Sequence, residues 1–284
     1  MTTSNNLSGC VAQFDPQALP VNAAQQIVLQ WATPLAASER VPLVEALDRV
    51  LAADVVSPID VPAHDNAAMD GYAFNGALLA PAAASRGKLT LPVRGKAFAG
   101  HPYDGELAPG ACVRIMTGAP MPAGCDTVIP QERVALAGDT ASFAADAIAR
   151  GANRRCKAED LAAGQPALSA GRLLRASDIG LLASLGVVEV SVRRRLRVAY
   201  FSTGDELRSP GEPLTPGAIY DSNRYTLGAM LRRLNVDAID LGIVRDDPAT
   251  LGTALMHAAE TADVVLTSGG VSVGEADFTR MQLQ

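Results

Sequence analysis

The sequence predicts a multidomain chain of α/β plus β class, and three textures along it carry that prediction. From Ser177 onward, short β-branched apolar runs alternate with helical periodicity, the pattern of a largely parallel sheet with right-handed crossovers. Between Val55 and Ala137, short apolar segments are punctuated by Pro58, Pro62, Gly71, Gly76 and Pro81, which reads as a small β-rich module. Thr140 to Ala176 is alanine-rich, spaced by Gly151, Gly164 and Gly171, and reads as a connecting region.

Taken in order, Met1 to Leu19 is polar and aperiodic, a loose tail without the basic start and apolar core of a signal peptide. Pro20 suits the first turn of a helix that carries Ala23, Ala24, Ile27, Val28 and Trp31, and Thr33-Pro34 breaks it. Arg40 to Leu43 looks extended, and Leu43, Leu47, Val50 and Leu51 then recur at helical steps. Ser177-Asp178 can cap a helix through Leu181, Leu182 and Leu185, with Gly186 as its stop. The basic run Arg193–Arg197 reads as a solvated strand edge ahead of strand Leu196–Phe201. Asp221-Ser222-Asn223 caps a helix whose stripe Leu227, Met230, Leu231 and Leu234 reads as core. Strand Ala238–Val244 leads to Asp246-Asp247-Pro248, an acidic helix start with proline near its first position. The helix through Leu251, Leu255 and Ala259 ends in strand Val264–Thr267, which runs into Ser268-Gly269-Gly270.

Composition narrows the function classes. Hydrophobic content of 48% suffices for packed cores, and 19% charge with 4% aromatics argues against disorder or a base-stacking surface. A net charge of −6 and a pI near 5.1 oppose phosphate-backbone binding. The four cysteines (Cys10, Cys112, Cys125, Cys156) lack ligand spacing and read as reduced thiols. No apolar stretch is long enough to span a bilayer. The expectation is a soluble, cytoplasmic protein with no nucleic-acid or membrane partner.

If three parallel strands share one edge, Thr203-Gly204-Asp205-Glu206, Asp246 and Ser268-Gly269-Gly270 meet there, where open α/β sheets bind ligands. Glycine loops offer backbone N–H groups to an anion, while Asp205, Glu206, Asp246, Asp247 and Asp277 bring carboxylates. Anion and carboxylates repel unless a cation stands between them, which suits Mg²⁺ and a phosphate-bearing ligand. The alternatives are a tight turn that merely needs glycine and acids that merely cap a helix. Upstream, Asp65 and Asp70 sit in one polar turn, Met116–Pro120 and Gly124–Val128 read as turns, and Arg154, Arg155 and Lys157 could clamp an oxyanion or form a solvated charge run. His64, His101 and His257 lack recognisable partners.

The motifs Asp65–Ala73, Met116–Pro120, Gly124–Val128, Gly151–Leu161, Ser202–Leu207, Arg245–Pro248 and Thr267–Phe278, in this order, resemble the molybdopterin molybdenumtransferase family, the bacterial MoeA and gephyrin E-domain group. The resemblance implies an elongated homodimer in the molybdenum cofactor pathway, working with its other biosynthesis proteins. It implies an Mg²⁺-dependent transferase that takes molybdate and adenylylated molybdopterin, inserts molybdenum and releases AMP, with the site between the α/β domain of one subunit and the first domains of the other. The implied domains are a tail 1–19, a discontinuous linking domain 20–54 plus 138–176, a β-rich domain 55–137, and an incomplete doubly wound α/β molybdopterin-binding domain 177–284. Carried over by motif, Asp65, Thr117, Arg155, Asp160, Glu206, Asp246 and Asp277 match catalytic positions. Ser202, Thr203, Gly204, Ser268, Gly269, Gly270 and Ser272 match the ligand loops, and Glu206 and Asp246 would face the metal. Arg155 would clamp an oxyanion and Thr117 would donate a hydrogen bond. Ala158 stands where the family has glycine, and Ala67 where it often has serine. Family members continue past the Thr267–Phe278 motif with lysines and a small β domain, whereas this chain stops at Gln284. A truncated α/β layer is expected to expose apolar surface and to endanger stability. A binding or scaffold protein of the same fold and an inactive fragment are the alternatives to an enzyme.

Overall fold

The computed structural model describes residues 19–84 and 87–269, which divide into two units. One is Val41–Val190, and the other combines the chain up to Arg40 with the chain from Ser191 onward. In the latter, helix α1 (Val21–Trp31) follows Pro20 as the sequence predicts, yet it buries none of its residues among those described.

The Val41–Val190 unit is built on a six-stranded sheet. Its strands are Gly71–Phe74 (β1), Lys88–Ala97 (β2), Cys112–Ile115 (β3), Thr127–Pro130 (β4), Ala135–Ala137 (β5) and Thr140–Ala144 (β6), in the order β4-β1-β3-β2-β6-β5. Only β2 and β3 run parallel; the other pairs are antiparallel. All four residues of β1 are buried, because each face of the sheet carries its own apolar cluster. Tyr72 and Phe74 enter one with Cys112, Ile129 and Phe143, while Ala73 enters the other with Val113, Ile115 and Val128, as strand alternation requires. The sheet continues through β6, beyond the boundary at Ala137 that composition suggests, since Thr140–Ala144 pairs along Lys88–Pro92. Alanine and serine dominate β6, so its strand character comes from Phe143 and from its partner, not from its own propensity.

Elsewhere in this unit the chain doubles back on itself. Val55–Val56 pairs antiparallel with Pro166–Leu168, Val50 bridges Leu173, and Val61 bridges Leu161. The helix expected from Leu43, Leu47, Val50 and Leu51 is only a 3₁₀ turn, Leu43–Glu45. Asp48 adopts φ +58°, and the amides of Asp48 and Leu51 donate to the carbonyls of Leu174 and Arg172, so cross-chain bonds displace helical ones. Helix α2 (Ala176–Ser184) has Arg175 as its N-cap, ahead of the Ser177-Asp178 cap that the sequence predicts. Asp178 lies inside its first turn, where Oδ2 accepts the Arg175 N–H at 2.9 Å and Oδ1 accepts the Arg172 guanidinium at 2.9 Å.

The other unit holds the parallel sheet. Arg197–Thr203 (β7), Ser222–Arg233 (α3), Asp237–Val244 (β8), Pro248–Thr261 (α4) and Val264–Ser268 (β9) follow one another, and the strand order is β8-β7-β9. Central β7 is buried from Val198 to Thr203. Val198 and Tyr200 pack on Leu231 and Leu227 of α3, whereas Phe201 packs on Leu251 and Leu255 of α4, so a helix covers each face. Asp221 caps α3 through the Arg224 N–H and Asp247 caps α4 through the Thr250 N–H, with Pro248 opening the latter. Two predicted core residues of α3 are not core: Met230 is 58% and Leu234 69% exposed. Met230 lies off the Leu227–Leu231 stripe, and Leu234 sits at the C-cap where the helix ends. The basic run is also no solvated edge. Arg194 forks onto Asp263 with two 2.9 Å bonds, and the Arg197 N–H donates to the same carboxylate at 2.8 Å, tying the starts of β7 and β9 together. Among the described residues, no helix is long and apolar enough to cross a membrane.

Candidate functional site

Each unit gathers its own set of predicted residues. In the Val41–Val190 unit three motifs far apart in sequence are stitched by backbone. Asn66–Ala67 pairs antiparallel with Arg154–Arg155, Asn66 bridges Pro120, and the Ala67 amide and carbonyl bond Ala119 and Gly118. This places Asp65, Asp70, Thr117 and the 151–160 loop on one patch. Asp65 accepts the Lys157 N–H at 2.8 Å and lies 3.5 Å from the Arg154 guanidinium. Asp70 Oδ1 accepts both the N–H and the hydroxyl of Thr117, at 2.8 and 2.7 Å. These two bonds, the backbone one foremost, hold the Asp70 carboxyl below the usual carboxylate range. Arg155 pairs with Asp160 at 2.5 Å and with Glu159 at 3.5 Å, so the expected clamp already has carboxylate partners.

Gly124–Val128 has a different task. Asp126 accepts the Gly76 N–H at 2.6 Å and the Thr127 hydroxyl at 2.8 Å, and pairs with Arg150 at 2.7 Å. Thr127 Oγ1 in turn accepts the Gly151 N–H at 2.9 Å. This motif braces the loops and does not offer its acid to a ligand. The thiols of Cys112 and Cys125 are buried, which pushes them up to about 12 and about 11 and leaves them inert at neutral pH.

In the parallel-sheet unit the three strand ends arrive in register, with Thr203 opposite Val244 and Ser202 opposite Ser268. Thr203 Oγ1 donates to Asp246 Oδ1 at 3.2 Å, and the Asp246 N–H points at Asp205 Oδ1 at 3.5 Å. Glu206 folds back over Gly204, where a Cβ would stand 2.8 Å from both of its carboxylate oxygens. Gly269 is required by geometry: its φ is +98°, and a Cβ there would lie 2.4 Å from the Thr203 carbonyl oxygen. Between these loops lies a cleft of ≈ 160 Å³ lined by Thr203, Glu206, Asp221, Asn223, Ser268 and Gly269. Gly204 and Asp205 also line a second cleft of ≈ 560 Å³, together with Arg208 and Arg245. Gly270, Ser272 and Asp277 lie outside the described residues.

Sequence reasoning missed the support beneath the first cleft. Buried Ser202 donates to Asp221 at 3.1 Å; the Arg224 side chain spans Asp221 at 3.2 Å, Asp240 at 2.7 Å and the Ser209 hydroxyl at 3.3 Å. Asp221 is 2% and Arg224 9% exposed, so this paired charge fixes the floor in a low-dielectric setting. The only signal was the cap itself, because an arginine three residues into a helix looks like solvated surface. Among the described residues no group of three or more His, Cys, Asp or Glu side chains could hold a metal by itself.

Residues 19–186 match the model of the MoeA N-terminal region (domain I and II), and residues 199–284 match a probable molybdopterin binding domain. The chain is 45% identical over 247 residues to the molybdopterin molybdenumtransferase of Haemophilus influenzae, covering 87% of this chain and 60% of that protein. It is 41% identical to the molybdopterin molybdenumtransferase of a Nostoc species, covering 85% of this chain and 55% of that one. The crystal structure of the molybdopterin biosynthesis MoeA protein of Pyrococcus horikoshii superposes with a TM-score of 0.80 at 31% identity, over 88% of this chain and 66% of that one. The chain therefore spans about 60% of the length of its Haemophilus relative. With more than half of its residues matched by the N-terminal family model and residues 199–284 by the second, the chain belongs to the MoeA family of molybdopterin molybdenumtransferases.

Proposed function

We propose that this chain inserts molybdenum into the pterin dithiolene: it takes adenylylated molybdopterin and molybdate as substrates, breaks the phosphoanhydride and releases AMP. The observation that carries this reading is the meeting of Thr203–Glu206, Asp246 and Ser268–Gly269 at one end of a parallel sheet. Glu206 and Asp246 are a donor set that suits Mg²⁺, which accepts one or two carboxylates and completes its shell with water and substrate oxygens. When bound, that ion neutralises charge on the phosphoanhydride oxygens. Thr203 orients Asp246 for this task, Gly269 keeps the wall clear of side chain, and Ser202 with Arg224 holds the floor through Asp221. Ser268 borders the cleft, and Gly270, Ser272 and Asp277 are assigned to ligand binding and catalysis on their motif alone. Arg155 leaves Asp160 and Glu159 to meet the developing oxyanion, while Asp65 steadies the 154–157 segment. The chain acts in the cytoplasm as a homodimer beside the other molybdenum cofactor proteins. Its domains are a β-rich domain, read as 55–137 and carried on to Ala144 by the last strand of its sheet, a linking domain of 20–54 plus the chain from there to 176, and the α/β 177–284. The bridge of Val50 to Leu173 and the bonds of the Asp48 and Leu51 amides to Leu174 and Arg172 support the discontinuous linker.

Glu206→Gln and Asp246→Asn test the assignment. Each is expected to slow AMP release at least about tenfold and to raise the Mg²⁺ concentration needed for half-maximal rate. Unchanged Mg²⁺ dependence in both variants would remove these residues from the site. Tight pterin binding without turnover would favour a scaffold.

A further inference from the structure

The Met116–Ala119 turn, with Gly118 at φ +80°, has the outline of an anion nest, but its donors are spent. The Met116 N–H donates to the Ala97 carbonyl at 3.1 Å, Gly118 to Ala67 at 2.8 Å, and Ala119 to Met116 at 2.9 Å. The Thr117 N–H and hydroxyl both donate to Asp70 Oδ1, at 2.8 and 2.7 Å. A hydroxyl has one proton and two lone pairs, and an ionised carboxylate has no proton to return. With its only proton committed, Thr117 has lone pairs alone to show a ligand. A phosphate oxygen, itself an acceptor beside the Asp70 charge, is the wrong partner. This reverses the expectation that Thr117 donates.

Resting on the reading of Thr117 as a ligand-facing residue of the molybdenum-inserting site, we propose that it serves the ligand as a hydrogen-bond acceptor, fixed in that polarity by Asp70. It therefore meets an N–H-bearing heterocycle of the substrate and not its phosphates. Asp70 is the positioning residue, and the shared ligand chemistry is a ring or exocyclic N–H, available from the pterin or from the adenine.

Two measurements test this. Calorimetric titration of the chain and of Thr117→Val uses three probes: molybdopterin, AMP and inorganic pyrophosphate. We expect Thr117→Val to weaken either molybdopterin or AMP about tenfold, which identifies the heterocycle, while pyrophosphate changes less than about twofold. Thr117→Ser should recover most of the loss. An equal loss for pyrophosphate, or no change for any probe, would overturn the proposal. The second measurement needs no ligand: the Thr117 hydroxyl proton, assigned by its loss in Thr117→Val, should exchange slowly with water in the NMR spectrum at neutral pH. A fast-exchanging proton overturns the polarity whatever the probes do. Failure of the unmodified chain to bind any of the three probes would instead refute the functional reading, with the proton resonance still deciding the polarity.

Discussion

Ala158 and Gly269 both hold positive φ, at +62° and +98°, and the energetic consequences differ because their surroundings differ. At Ala158 a Cβ is already accommodated, so only the intrinsic left-handed penalty remains, partly offset by the lower entropy of an unfolded alanine. Ala158→Gly should therefore raise stability by about 0.5–1 kcal/mol, read as a higher denaturant midpoint at unchanged slope. A fall in midpoint would show that the strain is absorbed. At Gly269 the obstacle is the backbone carbonyl of Thr203, which no rotamer change can move. Gly269→Ala should cost at least about 1 kcal/mol and displace Ser268 from the cleft; a variant with wild-type melting and pterin affinity would contradict this. The family resemblance marked Ala158 as a departure from glycine. The backbone strain behind that departure was not legible, since nothing local in Lys157-Ala158-Glu159 announces a left-handed residue.

The parallel strands were the most legible elements, because β7 and β9 are largely apolar runs that lead into glycine and the caps of the helices follow on schedule. β6 and the Asp48 turn were not, because β6 lies along Lys88–Pro92 and the Asp48 amide bonds Leu174, partners distant in sequence. The same holds for Arg194, whose role depends on Asp263. The Arg194 guanidinium, then the Arg197 backbone N–H, hold the Asp263 carboxyl far below the usual carboxylate range. A depressed folded-state pKa gives stability that is present above the unfolded value, about 4, and lost as pH falls below it. Thermal melts should lose midpoint steeply below about pH 4, and Asp263→Asn should lower the midpoint at pH 7 and flatten that acid limb. An unchanged acid limb would mean that the fork is decorative. Within the sheet, Phe201→Ala removes the residue that seats α4 and should cost about 3–5 kcal/mol by urea denaturation. A cost below about 1 kcal/mol would show that α4 is seated by other contacts.

At the scale of the molecule, two patches of candidate functional side chains sit on two units, each rigidified in its own way. The Asp65–Thr117–Arg155 patch is stitched by backbone pairing, and the Thr203–Ser268–Gly269 cleft by parallel register over a buried Asp221–Arg224 pair. Motif order singled out the residues of both patches. Their polarity was not legible: whether Thr117 gives or takes a proton, and whether Asp126 faces a ligand or braces a loop, depended on partners that no spacing reveals. Chemistry at the cleft is the central claim, and it has a stoichiometric signature. The chain incubated with adenylylated molybdopterin, molybdate and Mg²⁺ should release one AMP for each molybdenum bound to the dithiolene, as read by chromatography and metal analysis. Molybdenum insertion without AMP, or no release of AMP at all, would contradict the account.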